Sequence, residues 1–436
     1  MGSASVAAAL TLILWPTCGC STRLRSADEG GSRPQATYPF READPSASAR
    51  ISLLRKAIDS EDDSAIGRFW SDVEATGTPL IEPIPGDNQH SLVTFLWWAD
   101  EGTRNVAIVG GLMNGAEPAK NQMVRINGSN IWYLSFAIRN DARFTYSFAP
   151  NDSLLPLLDP NRKLRDFRRD PLNRRDFPDT GSSYVELPDA PTEPWRTPTP
   201  QSARGRLEET TFASRLLKNE RVMWVYTPAG FDGTDARFPL LVLLDGGAYT
   251  LPEAPAAPIL DHLITTRRIP PMVAVLVGNT RRLVELPSPE FADFLAMEIV
   301  PWAQERHRAS RNATDIVVAG SSVGGFGASL AGLQHPEVFG NVLSMSGSYW
   351  WDRGGDGDRE WLTRRYETTP RRSLRFFVAV GTMEVAENQL ATNRRFRDVL
   401  IAKRYPVTYQ EFNSGHGYIG WRRSLFDGLI ALLGEK

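Results

Sequence analysis

The chain has 436 residues, of which 42% are hydrophobic, 10% aromatic and 23% charged; that balance excludes a fibrous or wholly disordered protein, and the length exceeds one typical domain. Forty-nine basic against 51 acidic residues leave a net charge of −2, so charge gives no support to nucleic acid as a partner. The only cysteines are Cys18 and Cys20, and the five histidines form no HxxxH pair, which excludes thiol catalysis, disulfides and Cys-bearing zinc sites from the body of the chain.

Residues 4–15, ASVAAALTLILW, form the first element. The run is too short for a helix to cross a bilayer, which takes about 20 residues, and it suits the core of a signal peptide over 1–20. Gly19-Cys20 then resembles a lipoprotein processing site, with Cys20 carrying the lipid; a plain signal is the other reading, and either one places the protein in the periplasm or cell envelope. Residues 21–50 are polar and rich in Ser, Pro and charge, and read as a tether.

Residues 51–76 place apolar side chains three and four apart and predict helix, stopped by Gly77-Thr78-Pro79. SLVTFLWWA, NVAIVGG, IWYLSFAI and RFTYSFA then follow as β-branched or aromatic runs bounded by Gly, Asn and Asp. They predict a small β-sandwich domain over 51–150. Within it, Trp97, Trp98 and Trp132 either fill the core or stack on a ligand. Residues 151–206 are rich in Pro and charge and read as an extended linker, anchored by Phe167, Phe177, Tyr184 and Trp195.

From 207 to 436 apolar strands alternate with amphipathic helices, the pattern of a mostly parallel sheet covered on both faces. The predicted fold class is therefore α/β, with a mostly parallel sheet in the C-terminal domain, preceded by a small, immunoglobulin-like β-sandwich.

Gly320-Ser321-Ser322-Val323-Gly324 fits GxSxG, with the strand DIVVA before it and a helix of small residues after it. That setting is the nucleophile elbow of an α/β-hydrolase, the fold expected of the C-terminal domain, in which Ser322 stands at a helix N-terminus. A serine hydroxyl needs a base to take its proton. His416, in NSGHGYIGW, is the histidine on a loop late enough in the chain; His335, at the end of the elbow helix, reads as structural. The acid that orients the imidazole belongs after a strand between the two. FFVAVGTMEVAENQ offers Glu384, nearest the strand end, and Glu387 as the alternative, whereas Asp398 and Asp427 fall in predicted helices. An oxyanion hole needs two preorganised N–H groups: Val323 is one candidate, and Gly246 or Gly247 of LLDGGAYT, with Asp245 orienting the turn, supplies the other.

With these residues in place the chain closely resembles the enterochelin esterase family, over most of 65–436. The resemblance lies in FWSDVEATGTPLIEPI, INGSNIWYLSF and DPLN in the first part, and in RVMWVYTPAGF, RRLVEL, VVAGSSVGG, HPEVFGNVLSMSGSYWW and SGHGYIGWR in the second. It implies a Ser–His–acid hydrolase that cuts esters of a catecholate siderophore, with Ser322, His416 and Glu384 on the family's positions. It places Arg282 at a substrate-facing position, where an Arg suits an anionic ferric catecholate; a helix-start salt bridge is the other reading. Trp350 and Trp351, shortly after the elbow, either wall an aromatic pocket or pack as core aromatics. The sequence departs from the family at Ser321, Val323, Ser414 and Gly417, all on loops that shape the pocket. The expected partner is a small-molecule ester, that of the siderophore or, in the alternative reading for the same fold, a feruloyl or acetyl ester of a carbohydrate. No metal and no cofactor is needed by the mechanism, and the oligomeric state is left open.

Overall fold

The computed structural model describes residues 40–42, 48–111, 118–155, 167–177, 182–352, 359–384 and 388–434. The expected signal, Cys20, most of the tether and Glu387 lie outside them.

Helices α1 (Ala49–Asp59) and α2 (Ala65–Thr76) occupy the stretch read as helical. They are separated at Ser60–Ser64, where Glu61 takes a left-handed φ of 58° and Asp62 accepts from the Ser64 N–H; such short polar side chains favour turns over helix interiors. Among the described residues the sandwich has nine strands. They are β1 (Phe40–Glu42), β2 (Leu80–Ile84), β3 (Asp87–Trp98), β4 (Val106–Gly110), β5 (Val124–Arg125), β6 (Ile131–Arg139), β7 (Arg143–Pro150), β8 (Asp176–Phe177) and β9 (Ser182–Glu186). One antiparallel sheet has the order β1-β6-β3-β2, with β5 on β6; the other is β4-β7-β9-β8. Val93, Phe95, Phe136 and Ile138 of the first sheet meet Ile108, Phe144, Tyr146 and Phe148 of the second in one buried cluster, the interior of a sheet-on-sheet domain.

The second sheet corrects the linker boundary. Residues 151–206 do more than connect: β8 and β9 complete the sandwich, with β9 paired to β7. DPLN closes the same region, since Asp170 is buried and accepts from the Tyr146 hydroxyl at 2.6 Å; burial pushes its carboxyl above the ordinary range. Three of the expected anchors are in place. Trp195 lies 4.9 Å from Phe426, Tyr184 packs on Ile419, and Phe167 packs on the Ala107–Val109–Ala149 cluster. Trp132 is buried in the sandwich and Trp97 lies edge-on to Phe148, whereas Trp98 is half exposed, 5.0 Å from Trp70.

The second domain holds β10 (Arg206–Ser214), β11 (Asn219–Thr227), β12 (Leu240–Leu244), β13 (Val273–Val277), β14 (Ile316–Ser321), β15 (Asn341–Met345), β16 (Arg375–Gly381) and β17 (Val407–Phe412). Their order is β10-β11-β13-β12-β14-β15-β16-β17. Pairing is parallel from β13 to β17, and an antiparallel β10–β11 hairpin forms one edge. Each apolar strand serves two cores. Leu240, Val242 and Leu244 face one side of the sheet, and Leu241 and Leu243 the other, as strand alternation requires.

On the second side pack α3 (Ala256–Thr265) and α10 (Tyr418–Leu433). On the first pack α4 (Arg282–Glu285), α5 (Pro289–Phe294), α6 (Val300–Arg306), α7 (Val323–Gln334), α8 (Trp361–Thr368) and α9 (Gln389–Ala402). FADFLAMEIVPWAQERH, one amphipathic helix by pattern, contains a π turn at Leu295–Ile299 just before Pro301; a ring without an N–H upsets the regular ladder there. The turns after β12, β14, β16 and β17 all lie at the carboxyl end of the parallel sheet, where ligands of such sheets bind.

The two domains share a buried contact. Glu193, 1% exposed at its side chain, accepts from Arg422 of α10 at 2.6 Å through both oxygens, and lies 3.2 Å from Arg143 of β7.

Candidate active site

Ser322 sits between β14 and α7 with φ 57° and ψ −123°, a backbone region that L-residues enter only under constraint. Three hydrogen bonds hold it there. Its N–H donates to the Met345 carbonyl at 2.8 Å, and its own carbonyl accepts from Phe326 at 3.1 Å and Ser348 at 3.0 Å. The flanking glycines are there for space. A Cβ on Gly320 would lie 2.4 Å from the Gly324 oxygen, and one on Gly324 would lie 3.0 Å from the Asp245 carboxylate. Strand, turn and helix therefore close tightly, and the Ser322 hydroxyl projects from the bend.

The loop after β17 brings His416 to it: Nε2 lies 2.9 Å from Ser322 Oγ. The other ring nitrogen, Nδ1, lies 2.6 Å from Glu384 Oε2, on the loop after β16. A carboxylate facing Nδ1 fixes the proton there and leaves the Nε2 lone pair for the serine. Glu384 is nearly fully buried, and its second oxygen accepts from Ser346 Oγ at 2.5 Å and the Gly381 N–H at 2.8 Å. Trp421 donates to Ser346 Oγ at 2.9 Å and stands edge-on to the His416 ring at 4.8 Å. One indole thus steadies both the base and the hydroxyl that holds the acid.

The candidate oxyanion groups border the same point. Val323 opens α7, where backbone N–H groups have no intrahelical acceptor. The turn Gly246–Thr250 follows β12, after Asp245 at φ 62°. Gly246 is required by crowding, since a Cβ would meet the Leu276 backbone at 2.5 Å; Gly247 would touch the Trp224 ring at 3.2 Å. The contact between Gly324 and Asp245 sets the two candidate donors' segments against each other.

Arg282 is placed by an ion pair. Its Nε and Nη2 each lie 2.7 Å from an Asp245 oxygen, and Nη2 also reaches the Ser321 carbonyl at 3.3 Å. Burial opposes its charge, but Asp245 prevails and raises its pKa. The helix-start salt bridge is therefore present, with two of the fork's nitrogens on the glycine turn, while the side chain stays 31% exposed. Burial and then the Asp245 charge push the Tyr418 hydroxyl up, and burial does the same at Tyr249, so both phenols beside this ion pair stay neutral.

Trp350 is half-buried and donates to Gln389 Oε1 at 2.6 Å; Trp351 lies 5.6 Å from it. Gln389 in turn donates to the Ser346 and Gly347 carbonyls. Trp350 is thereby fixed to the segment that carries Ser348, whose hydroxyl is 3.4 Å from Ser322 Oγ. His335 is bound to Asp293 and Glu337 at the far end of α7, and Asp398 and Asp427 pair with Arg397 and Arg423. Among the described residues no group of three His, Cys, Asp or Glu side chains is placed to hold a metal ion. Ser346, Ser348, Gln389 and Trp421 lie in segments the sequence pointed to but were not singled out there, because their side chains meet only in the fold.

A hydroxyl, an imidazole and a buried carboxylate in line, beside backbone donors, can transfer an acyl group to serine and then to water. Residues 214–432 match the family described as "Putative esterase", and residues 92–196 match the family described as "Enterochelin esterase, N-terminal". The chain is similar to the iron(III) enterobactin esterase of Escherichia coli strain K12, with 32% identity over 374 residues covering 78% of this chain and 90% of that protein. It is similar to that of Dickeya dadantii strain 3937, with 30% identity over 410 residues covering 84% and 92%. Among solved structures it resembles an enterobactin esterase of Shigella flexneri determined in the presence of enterobactin, with a TM-score of 0.68 and 28% identity over 83% of this chain and 97% of that one.

Proposed function

The chain belongs to the enterochelin esterase family, and on that premise we propose that it is a serine esterase that hydrolyses the ester bonds of a catecholate siderophore of the enterobactin type, releasing its iron. The observation that carries the chemistry is the line Ser322 Oγ–His416 Nε2–Glu384, with separations of 2.9 and 2.6 Å. Supporting the substrate are the family of both domains and the relatives named for iron(III) enterobactin.

In the acylation step His416 Nε2 takes the Ser322 proton as Oγ adds to the ester carbonyl carbon. The oxyanion meets the N–H groups of Val323 and of Gly246 or Gly247, a contribution of about 3 kcal/mol per donor where such groups have been removed. Glu384 keeps Nδ1 protonated and stabilises the imidazolium. The tetrahedral adduct collapses, the bond to the leaving alkoxide breaks, and His416 gives it the proton. Water then enters by the same route, His416 accepts its proton, and the acid is released with Ser322 restored. Each cycle consumes one ester and one water, and iron enters only as part of the substrate.

The test offers ferric and iron-free enterobactin, a feruloyl sugar ester and a p-nitrophenyl ester to the purified protein, with Ser322→Ala as the blank. Cleavage of enterobactin well ahead of the other esters is expected. Cleavage of only the feruloyl or short ester would remove the siderophore assignment, and full activity in Ser322→Ala would remove the serine mechanism. We place the enzyme in the cell envelope, anchored through lipid on Cys20, on the strength of the apolar run 4–15 and Gly19-Cys20. Metabolic labelling with a fatty acid, absent in Cys20→Ser, is the expected result.

A further inference from the structure

The acid and the base of the relay sit on loops that press against the other domain. Met383, one residue before Glu384, is 3% exposed and belongs to the core of the β-sandwich. Gly415, one residue before His416, lies against Gly111 at the end of β4, where a Cβ would come within 2.5 Å of the Gly111 Cα. The two loops are also joined to each other, by Thr382 N–H to the Phe412 carbonyl at 2.9 Å and Met383 N–H to the Ser414 carbonyl at 3.2 Å. Ser322, by contrast, follows β14 in the middle of the sheet and is held by Met345, Phe326 and Ser348 of its own domain.

Asn413 gathers these contacts. Its Oδ1 accepts from Thr382 Oγ1 at 2.7 Å, on the acid loop. Its Nδ2 donates to Asp141 Oδ1 at 2.6 Å, in the turn between β6 and β7. Its carbonyl accepts from the Arg143 N–H at 3.0 Å. Asp141 is fixed on its other side by Arg139, through Nε at 3.1 Å and Nη2 at 3.0 Å. Burial would raise the Asp141 carboxyl, but Arg139 and Asn413 hold it low, so it faces Asn413 as a charged acceptor. Charge-assisted bonds of this kind are short and strong.

We infer that Asn413 and Asp141 form a positioning pair: the β-sandwich domain is part of the catalytic scaffold, setting the distance from base to nucleophile through the loops of Glu384 and His416. The inference rests on the serine-esterase reading. Neither residue touches the reacting atoms. Both act on where the imidazole stands, and a shift of about 1 Å there costs up to about a hundredfold in rate.

The full chain is assayed with p-nitrophenyl butyrate, with kcat, KM and melting temperature measured for each variant. Asn413→Ala and Asp141→Ala are each expected to lower kcat about tenfold or more, with KM within about twofold and the melting temperature nearly unchanged. The two together should lose little more than the worse single variant, because either one alone already breaks the bond they share. Asp141→Asn combined with Asn413→Asp reverses the donor and acceptor and should recover most of the rate. A kcat within twofold of the parent in Asn413→Ala, losses that multiply in the double variant, or a loss that follows the unfolded fraction would each overturn the inference. Ser322→Ala is run alongside; activity surviving there would count against the serine reading itself, whatever Asn413 does.

Discussion

Removing the charge of Glu193 should loosen the two domains from each other without touching the relay. In Glu193→Gln the side chain keeps its size, but one oxygen facing Arg422 becomes a donor facing a donor. Arg422 is 6% exposed and loses the carboxylate that both its Nε and Nη2 face at 2.6 Å. Breaking a buried pair by removing one partner costs about 3–5 kcal/mol. The low end applies here. Arg143 retains Glu186 at 3.0 Å and the Pro191 carbonyl at 2.8 Å, and Arg422 retains the Glu253 carbonyl at 3.2 Å. The expected loss is thus about 3 kcal/mol, some two orders of magnitude in the unfolding constant. Urea titration followed by tryptophan fluorescence reads it. Replacing both partners, as Glu193→Leu with Arg422→Leu, should cost less than Glu193→Gln alone. A Glu193→Gln protein within 1 kcal/mol of the parent would refute the reasoning, since it would mean the buried pair carries no net charge stabilisation.

Ser346→Ala removes a donor from Glu384 and the acceptor of the Trp421 indole; kcat should fall about tenfold and stability by about 1–3 kcal/mol, read by ester turnover and urea titration. Gly320→Ala forces a Cβ to within 2.4 Å of the Gly324 oxygen, so stability should drop by about 1–3 kcal/mol and turnover should fall with the displaced elbow, whereas an unchanged melting temperature would show that the turn can relax. The Glu411 carboxyl is held below the usual range, first by its hydrogen bonds to Arg394, against burial. A folded-state pKa below the unfolded one means stability that is present above about pH 4.3 and is lost as pH falls through the folded value. Between about pH 5 and pH 3 the parent should therefore lose more stability than Glu411→Gln; equal losses at both pH values would contradict the assignment.

What the sequence made legible was what is local. GxSxG between an apolar strand and a helix of small residues describes a bend whose crowding at Gly320, against the Gly324 oxygen, is settled within five residues. The apolar runs of β12 to β16 likewise read directly, because strands buried on both faces leave no alternation to misjudge. Reading failed where the partner is far along the chain. β8 and β9 are short, set among prolines and charges, and are strands because β7 offers an edge to β9 and β9 offers one to β8. Met383 looks like an apolar residue ending its own strand, and its burial belongs to a different domain. Arg282 shows the limit of residue type: its fork suits an anionic substrate, but the anion nearest to it is Asp245. The abundance of Arg, 43 against six Lys, is in part spent in the same way, in forks on Glu285, Glu360, Glu411 and Glu193.

The lacing of the acid and base loops onto the β-sandwich also sets an order in time. A chain made from its N-terminus completes the sandwich, through β9, before β16, β17 and α10 exist, and domains fold largely as units in the order of synthesis. The face carrying Gly111, Asp141 and Arg143 is then a finished surface when the loops of Glu384 and His416 arrive at it. The nucleophile bend can form with the central strands, but the relay closes only after nearly the whole chain has been made. Recovery of esterase activity on refolding should accordingly trail the return of β-sheet signal, and the lag between them times the docking of the two domains.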